Sequence, residues 1–380
     1  MSQVVGMELK FNLDDISKRV FALEKILREQ KNTVEYDFAD DAMKTYQDIL
    51  TDSTNNFNSN EKIDSNFSFN KYHIINVLNR NKAISKYFPK DVVRFLSSIC
   101  KDLTKNEDFF DKFNRTYELE EKDFSDQDIY DTLLEFYNKY APGYKHILDF
   151  LIDNNLIHLK DYCYENDSSC YYDEYFDLPY AIVNNHHNAG VFPRVIHEVA
   201  HSYWYTINKK NNYSSRYFIE TPANLAEFLY AKDNLENDQN LISLYSYFGS
   251  LKETFYDIAL VDNLKQHPIS KTTILSVMKK QNYFLFCGDD KNLEYFSKIN
   301  NFRDASYAFS LILTLHLLKI FDDDFEKGLY LYNNHVFKNS SNFLNDLKAM
   351  EFDLHDLDYS KELYENYENM ILGQVRKRLK

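Results

Sequence analysis

The sequence predicts a mainly α-helical body with a small β-sheet beside one buried helix. Three observations carry this expectation. Only 7 glycines and 6 prolines occur in 380 residues, so few positions interrupt a helix. Apolar residues recur at three- and four-residue spacing through most of the chain, which puts them on one helix face. One segment, Tyr162 to Asn185, departs from that rhythm: it gathers tyrosines and the Ala181-Ile182-Val183 run, which suit a pleated, half-buried surface.

Taken in order, Leu13 to about Leu50 reads as helical, because Ile16, Val20, Leu23, Ile26 and Leu27 form an apolar stripe. Thr51 to Asn66, rich in asparagine, serine and aspartate, reads as an exposed loop. Further helices follow over residues 70–160, including Val92 to Leu96 and Ile129 to Tyr140, with a break at Ala141-Pro142-Gly143. The strand region comes next. Val191 to Trp204 then resumes a helical pattern with apolar residues on most sides, as expected of a buried helix. Glu220 opens another helix with Pro222 in its first turn, where a missing amide hydrogen is harmless. From Leu241 onward helical spacing persists, as in Ala308 to Ile320. No linker rich in proline, glycine or serine divides the chain and no repeat is visible, so one continuous body is expected.

The buried helix carries His197-Glu198-Val199-Ala200-His201. Two histidines four residues apart point the same way on a helix and can grip one metal ion, and the glutamate between them can act as a base on a metal-bound water. Burying two imidazoles and a carboxylate is costly without compensation, which a metal would supply. Eighteen residues separate His201 from Glu220, a third ligand candidate on the next helix. Two histidines and one glutamate leave a fourth tetrahedral position open, as a catalytic zinc site requires. Glu227, two turns after Glu220, shares its face and reads either as a partner behind the ligands, as a substrate contact, or as a solvated helix carboxylate.

These residues resemble the M3 metallopeptidases of the thimet oligopeptidase and oligoendopeptidase F type. Leu178 to Asn185 is similar to the family's strand before the zinc helix, and His197 to Tyr203 to its histidine-glutamate-x-glycine-histidine-serine start, with Ala200 in place of the glycine. Phe218 to Ala223 is similar to the third-ligand helix, and Glu220 and Glu227 match its seven-residue glutamate spacing. Gly143 to Tyr162 is similar to the helix and turn that lead to the substrate-binding sheet. Phe302 to Ala308 resembles the segment that faces the zinc, with Tyr307 matching a family tyrosine. The family's histidine just before it is absent, since Lys298, Ile299, Asn300 and Asn301 stand there, and Glu165 to Cys170 replaces its glycine-rich substrate segment.

The resemblance implies a zincin-like helical fold with a core over residues 125–315, flanked by helical regions over 1–124 and 316–380. It implies one Zn²⁺ per chain on His197, His201 and Glu220, with Glu198 as general base and Tyr307 as oxyanion donor. The expected activity is hydrolysis of oligopeptides or exposed protein segments. Two alternatives stay open at this stage: another glutamate-zincin such as an aminopeptidase, and a peptidase-derived binding protein whose catalysis has decayed.

Composition bounds the rest. The 44% hydrophobic and 27% charged residues are those of a folded globular protein. A net charge of −15 argues against nucleic-acid binding, which needs a clustered positive surface. The closing Arg376-Lys377-Arg378-Leu379-Lys380 reads as a helix end complementing its dipole. No export signal and no run of about 18 apolar residues is read, so no membrane partner and a cytoplasmic location are expected, with delivery by a specialised secretion route left open. Cys100, Cys163, Cys170 and Cys287 lack CxxC spacing and read as reduced thiols. His186 and His187 read as surface or substrate-edge residues rather than a second metal site.

Overall fold

The computed structural model describes residues 69–105, 109, 111–113, 115–154, 156–161, 168–173, 178–185, 187–208, 218–265, 267, 270–280, 288–338 and 342–379. The helix expected over residues 13–50, the loop after it, Cys163, Cys287, His186 and residues 165–167 lie outside this set. The described residues form thirteen α-helices and one three-stranded sheet, the mainly helical architecture expected from the sequence.

The first helices are α1 (Lys71–Tyr87), α2 (Lys90–Leu103) and α3 (Asp126–Tyr140). Ser125 starts α3: its Oγ accepts from the Asp128 amide at 3.2 Å, and the Asp128 carboxylate accepts from the Ser125 amide at 2.9 Å, so two terminal amides are satisfied. The break at Ala141-Pro142-Gly143 is a 3₁₀ turn over Pro142–Tyr144, after which α4 (Lys145–Asp153) begins.

The sheet follows as β1 (Ile157–Asp161), β2 (Ser169–Asp173) and β3 (Leu178–Asn185), with β3 in the centre. β1 runs parallel to β3, pairing Ile157 with Ala181, and β2 runs antiparallel, pairing Cys170 with Ala181. Pro179 to Asn184 are all buried, the pattern of a strand covered on both faces. α5 (Val191–Asn208) packs on β3 and β2, and α6 (Glu220–Asp233) packs on α5. Val195, Ile196, Val199 and Ala200 on α5 and Ala223, Leu225 and Ala226 on α6 have no exposed surface, each large apolar side chain contributing about 1.5–3 kcal/mol on burial.

The remaining helices are α7 (Asp238–Leu264), α8 (Lys271–Lys280), α9 (Asp289–Lys298), α10 (Asn301–Asp323), α11 (Phe325–Leu331), α12 (Phe343–Ala349) and α13 (Leu357–Arg378), with a π-helical turn at Tyr332–Val336 between α11 and α12. α10 is the central pillar and touches α1, α2, α6, α7 and α13. By length and apolarity, Phe302–Asp323 is the one described helix able to cross a bilayer, and 78% of its apolar window is buried inside the protein. It is not an unbroken apolar run, since Asp304, Ser306 and Ser310 interrupt it; only the mean over the helix is high. One hydrophobic cluster carries residues from Ile84 to Val375, and a second joins Val77 to the end of α7 and to α8 and α9.

Candidate metal centre

The chain enters α5 through a tight turn. Asn188 Oδ1 accepts from the Gly190 amide at 2.9 Å, and a Cβ at Gly190 would lie 2.8 Å from that same oxygen, so the turn admits only glycine without rearrangement. On α5, Tyr137 of α3 donates its hydroxyl to the Ile196 carbonyl at 2.8 Å, immediately before His197. On α6, two bonds hold the turn that carries Glu220: Tyr332 donates to the Pro222 carbonyl at 3.0 Å, and Ser310 of α10 donates to Thr221 Oγ1 at 3.0 Å. Three elements far apart in sequence, α3, α10 and the π-helical turn, thereby hold α5 and α6.

The result is a triangle of donor atoms. His197 Nε2 and His201 Nε2 lie 3.2 Å apart, and Glu220 Oε2 is 3.7 Å from the first and 3.5 Å from the second. A triangle of these sides has its centre about 2.0 Å from each corner, the length of a zinc–nitrogen or zinc–oxygen bond. Both histidines are 7% exposed, and Glu220 Oε2 is buried with no hydrogen bond. Two imidazole lone pairs and a carboxylate oxygen converging at this spacing repel one another unless a cation or protons lie between them, so the donor set fits a metal.

Electrostatics agree with the geometry. Burial would raise the Glu220 carboxyl, but the fields of His201, His197 and Arg303 outweigh it and hold the group below its ordinary value. His201 is pushed down by burial, which keeps its nitrogen free of a proton. Burial acts the same way on His197, yet the hydrogen bond to Glu227 and the charges of Glu198, Glu227 and Glu220 outweigh it and raise the imidazole to about 9.

Glu227 is 5% exposed, and its Oε2 lies 3.1 Å from His197 Nδ1. It stands behind His197 and is not a solvated carboxylate. Its bond directs the second nitrogen, Nε2, toward the centre of the triangle. Glu198 is 6% exposed on the same turn as His197, and its charge reaches Cys170, Tyr247 and Tyr307. Tyr307 is half-buried on α10 beside Glu220, and burial first, then that carboxylate, push its hydroxyl well above the ordinary value.

Sequence reasoning missed Tyr247 and Asn224. The Tyr247 hydroxyl donates to Asn224 Oδ1 and lies 3.5 Å from His197 Nδ1, with its ring edge-on to the imidazole at 5.9 Å. Nothing in the periodicity of α7 separates this tyrosine from the other 30, because its role comes from a helix crossing. His187 sits at φ 50 with Nδ1 2.5 Å from Asp123 Oδ1, a carboxylate that is not part of the triad. Cys100 and Cys170 are free thiols, as expected.

The comparisons with known proteins bear on this arrangement through the fold alone. No family model and no curated protein matches the sequence. Solved structures do. A protein from Chlamydophila abortus assigned as a peptidase superposes with a TM-score of 0.57 at 15% identity, over 80% of this chain and 60% of its own. The fold is that of the oligoendopeptidase F type. A protein from Bacillus anthracis assigned as an oligoendopeptidase F matches at a TM-score of 0.50 and 14% identity, over 95% of this chain and 67% of its own. PZ peptidase A, solved with an inhibitor, matches at 0.53 and 11%, over 97% and 73%. The chain thus spans about three fifths to three quarters of these peptidase structures.

Proposed function

We propose that this chain is a zinc-dependent peptidase that hydrolyses peptide bonds in oligopeptides or exposed protein segments. The observation that carries the reading is the triangle of His197 Nε2, His201 Nε2 and Glu220 Oε2, with sides of 3.2, 3.5 and 3.7 Å, formed between α6 and the helix α5 that also presents Glu198. When bound there, zinc would polarise a scissile carbonyl and lower the pKa of a water toward neutrality.

The chain's own residues do the rest. Glu198 accepts a proton from the attacking water and returns it to the leaving amine. Glu227 fixes the tautomer of His197 by accepting from Nδ1, which leaves the Nε2 lone pair for the metal. Tyr307 and Tyr247 remain protonated at neutral pH, because burial and the neighbouring carboxylates raise both hydroxyls. Tyr307 donates a hydrogen bond to the oxyanion that develops on the carbonyl. Tyr247, already committed to Asn224, supports the His197 side of the site.

The test compares wild type with Glu198→Gln for metal content and for cleavage of a mixed peptide library. Zinc in both proteins, with kcat lower by about 10²–10⁴-fold in the variant, is the expected result. Equal cleavage by both proteins would remove Glu198 from the mechanism, and absence of zinc from wild type would remove the reading itself. Cutting of peptides with blocked amino termini separates an endopeptidase from an aminopeptidase.

A further inference from the structure

We infer that Arg303 is a specificity-determining residue that binds a carboxylate of the peptide substrate at the mouth of the metal centre. The inference rests on the peptidase reading and names a substrate class for it. Arg303 is exposed, in the first turn of α10, four residues before Tyr307. One helical turn apart, the two side chains share a face, and the guanidinium carbon lies 5.5 Å from the centroid of the Tyr307 ring. Tyr307 stands beside Glu220, and the Arg303 charge extends to that carboxylate. The guanidinium is therefore the exposed member of a row of groups that runs from Glu220 through Tyr307 to the surface.

The chemistry around it argues for an anionic guest. Glu198, Glu220 and Glu227 bring three negative charges to the triad against the two positive charges of a bound zinc ion, and the chain as a whole carries −15. A substrate carboxylate entering this field is repelled unless a cation meets it. A guanidinium offers two parallel donors matched to a carboxylate, and its seat over the Tyr307 ring reduces the side-chain freedom that binding would cost. The carboxylate has two sources: the C-terminus of a short peptide, or an aspartate or glutamate side chain near the scissile bond.

The experiment uses the zinc-loaded full chain and four peptides with one core sequence. Two differ only in a C-terminal acid or amide; two are amides with glutamate or glutamine at the second residue after the bond that is cut. kcat and KM are measured separately for wild type, Arg303→Gln and Arg303→Lys. Peptide Kd is measured by calorimetry in the Glu198→Gln background, with and without Arg303→Gln, so that one readout is independent of turnover. The expected result is an acid-over-amide or a glutamate-over-glutamine preference of about ten-fold or more in KM and Kd, lost in Arg303→Gln and partly kept in Arg303→Lys. The first preference identifies the C-terminus as the source and the second an acidic side chain, and either supports the inference. Cleavage of all four peptides with equal efficiency, or a preference that survives Arg303→Gln, overturns it and leaves the peptidase reading standing. No cleavage of any of the four by wild type overturns the peptidase reading and the inference with it.

Discussion

His197 is gripped from behind by a carboxylate, 3.1 Å from Nδ1 to Glu227 Oε2, while its Nε2 faces the metal triad. Replacing Glu227 by glutamine keeps the shape and removes the charge, so zinc affinity should fall by about 10–100-fold, measured by competition with a chromophoric chelator. The same pair makes metal binding pH-dependent. Because His197 is raised to about 9 and His201 is lowered from 6.5, one ligand carries a proton at neutral pH and the other does not. A metal must displace that proton, so affinity should rise with pH across the window from 6.5 to 9 and level off above it. Calorimetry in buffers of different ionisation enthalpy should find close to one proton released per ion at neutral pH. An affinity that is flat across this window would contradict the assignment of His197 as a ligand.

Among the elements, α7 and α13 are joined by an ion pair that resembles an active-site feature but acts in the core. Lys252 and Glu368 meet at 2.9 Å with side chains 2% and 3% exposed, and Lys252 Nζ lies 4.1 Å from the Phe109 ring centroid. Burial pushes the ammonium down to about 8 against the pull of Glu368. Glu368→Leu would leave the Lys252 amine buried without its carboxylate and push it further toward the neutral form, at a cost of about 3–5 kcal/mol in chemical denaturation. Adding Lys252→Met should recover part of that loss, because the second partner of Glu368, Lys112, is 26% exposed and can turn to solvent. If the double variant were no more stable than Glu368→Leu, the pair would not be the source of the effect.

For the molecule as a whole, the proposed zinc binding would be linked to folding. α5 and α6 each supply part of the triad, and the donors converge only when both helices are docked. Zinc at about 100 times its Kd should therefore stabilise the folded chain by about 2.7 kcal/mol, seen as a concentration-dependent rise in Tm. His201→Ala should abolish the rise. A zinc-induced shift of equal size in that variant would mean that the ion binds elsewhere.

How much of this was legible in the sequence depended on whether a contact is local. A helix converts a spacing of four into proximity, so His197 and His201 could be paired, with Glu198 between them, before any tertiary structure was known. Glu220 was legible because Pro222 marks the opening of its helix, which puts the glutamate at a helix start after a short connection. For Glu227 the face was readable and the environment was not, since burial is a property of what packs on a helix. Tyr247 carried no sequence signal, because it reaches the site across a helix crossing, whereas Asn224 and Arg303 lie one turn from Glu220 and Tyr307 on the same helices. The sequence by itself determined the helical class, the small sheet before the buried helix, and the metal-ligand candidates. Only the tertiary structure decided that three donor atoms meet within 4.8 Å and that a carboxylate stands behind one of them, because those distances are set by long-range packing.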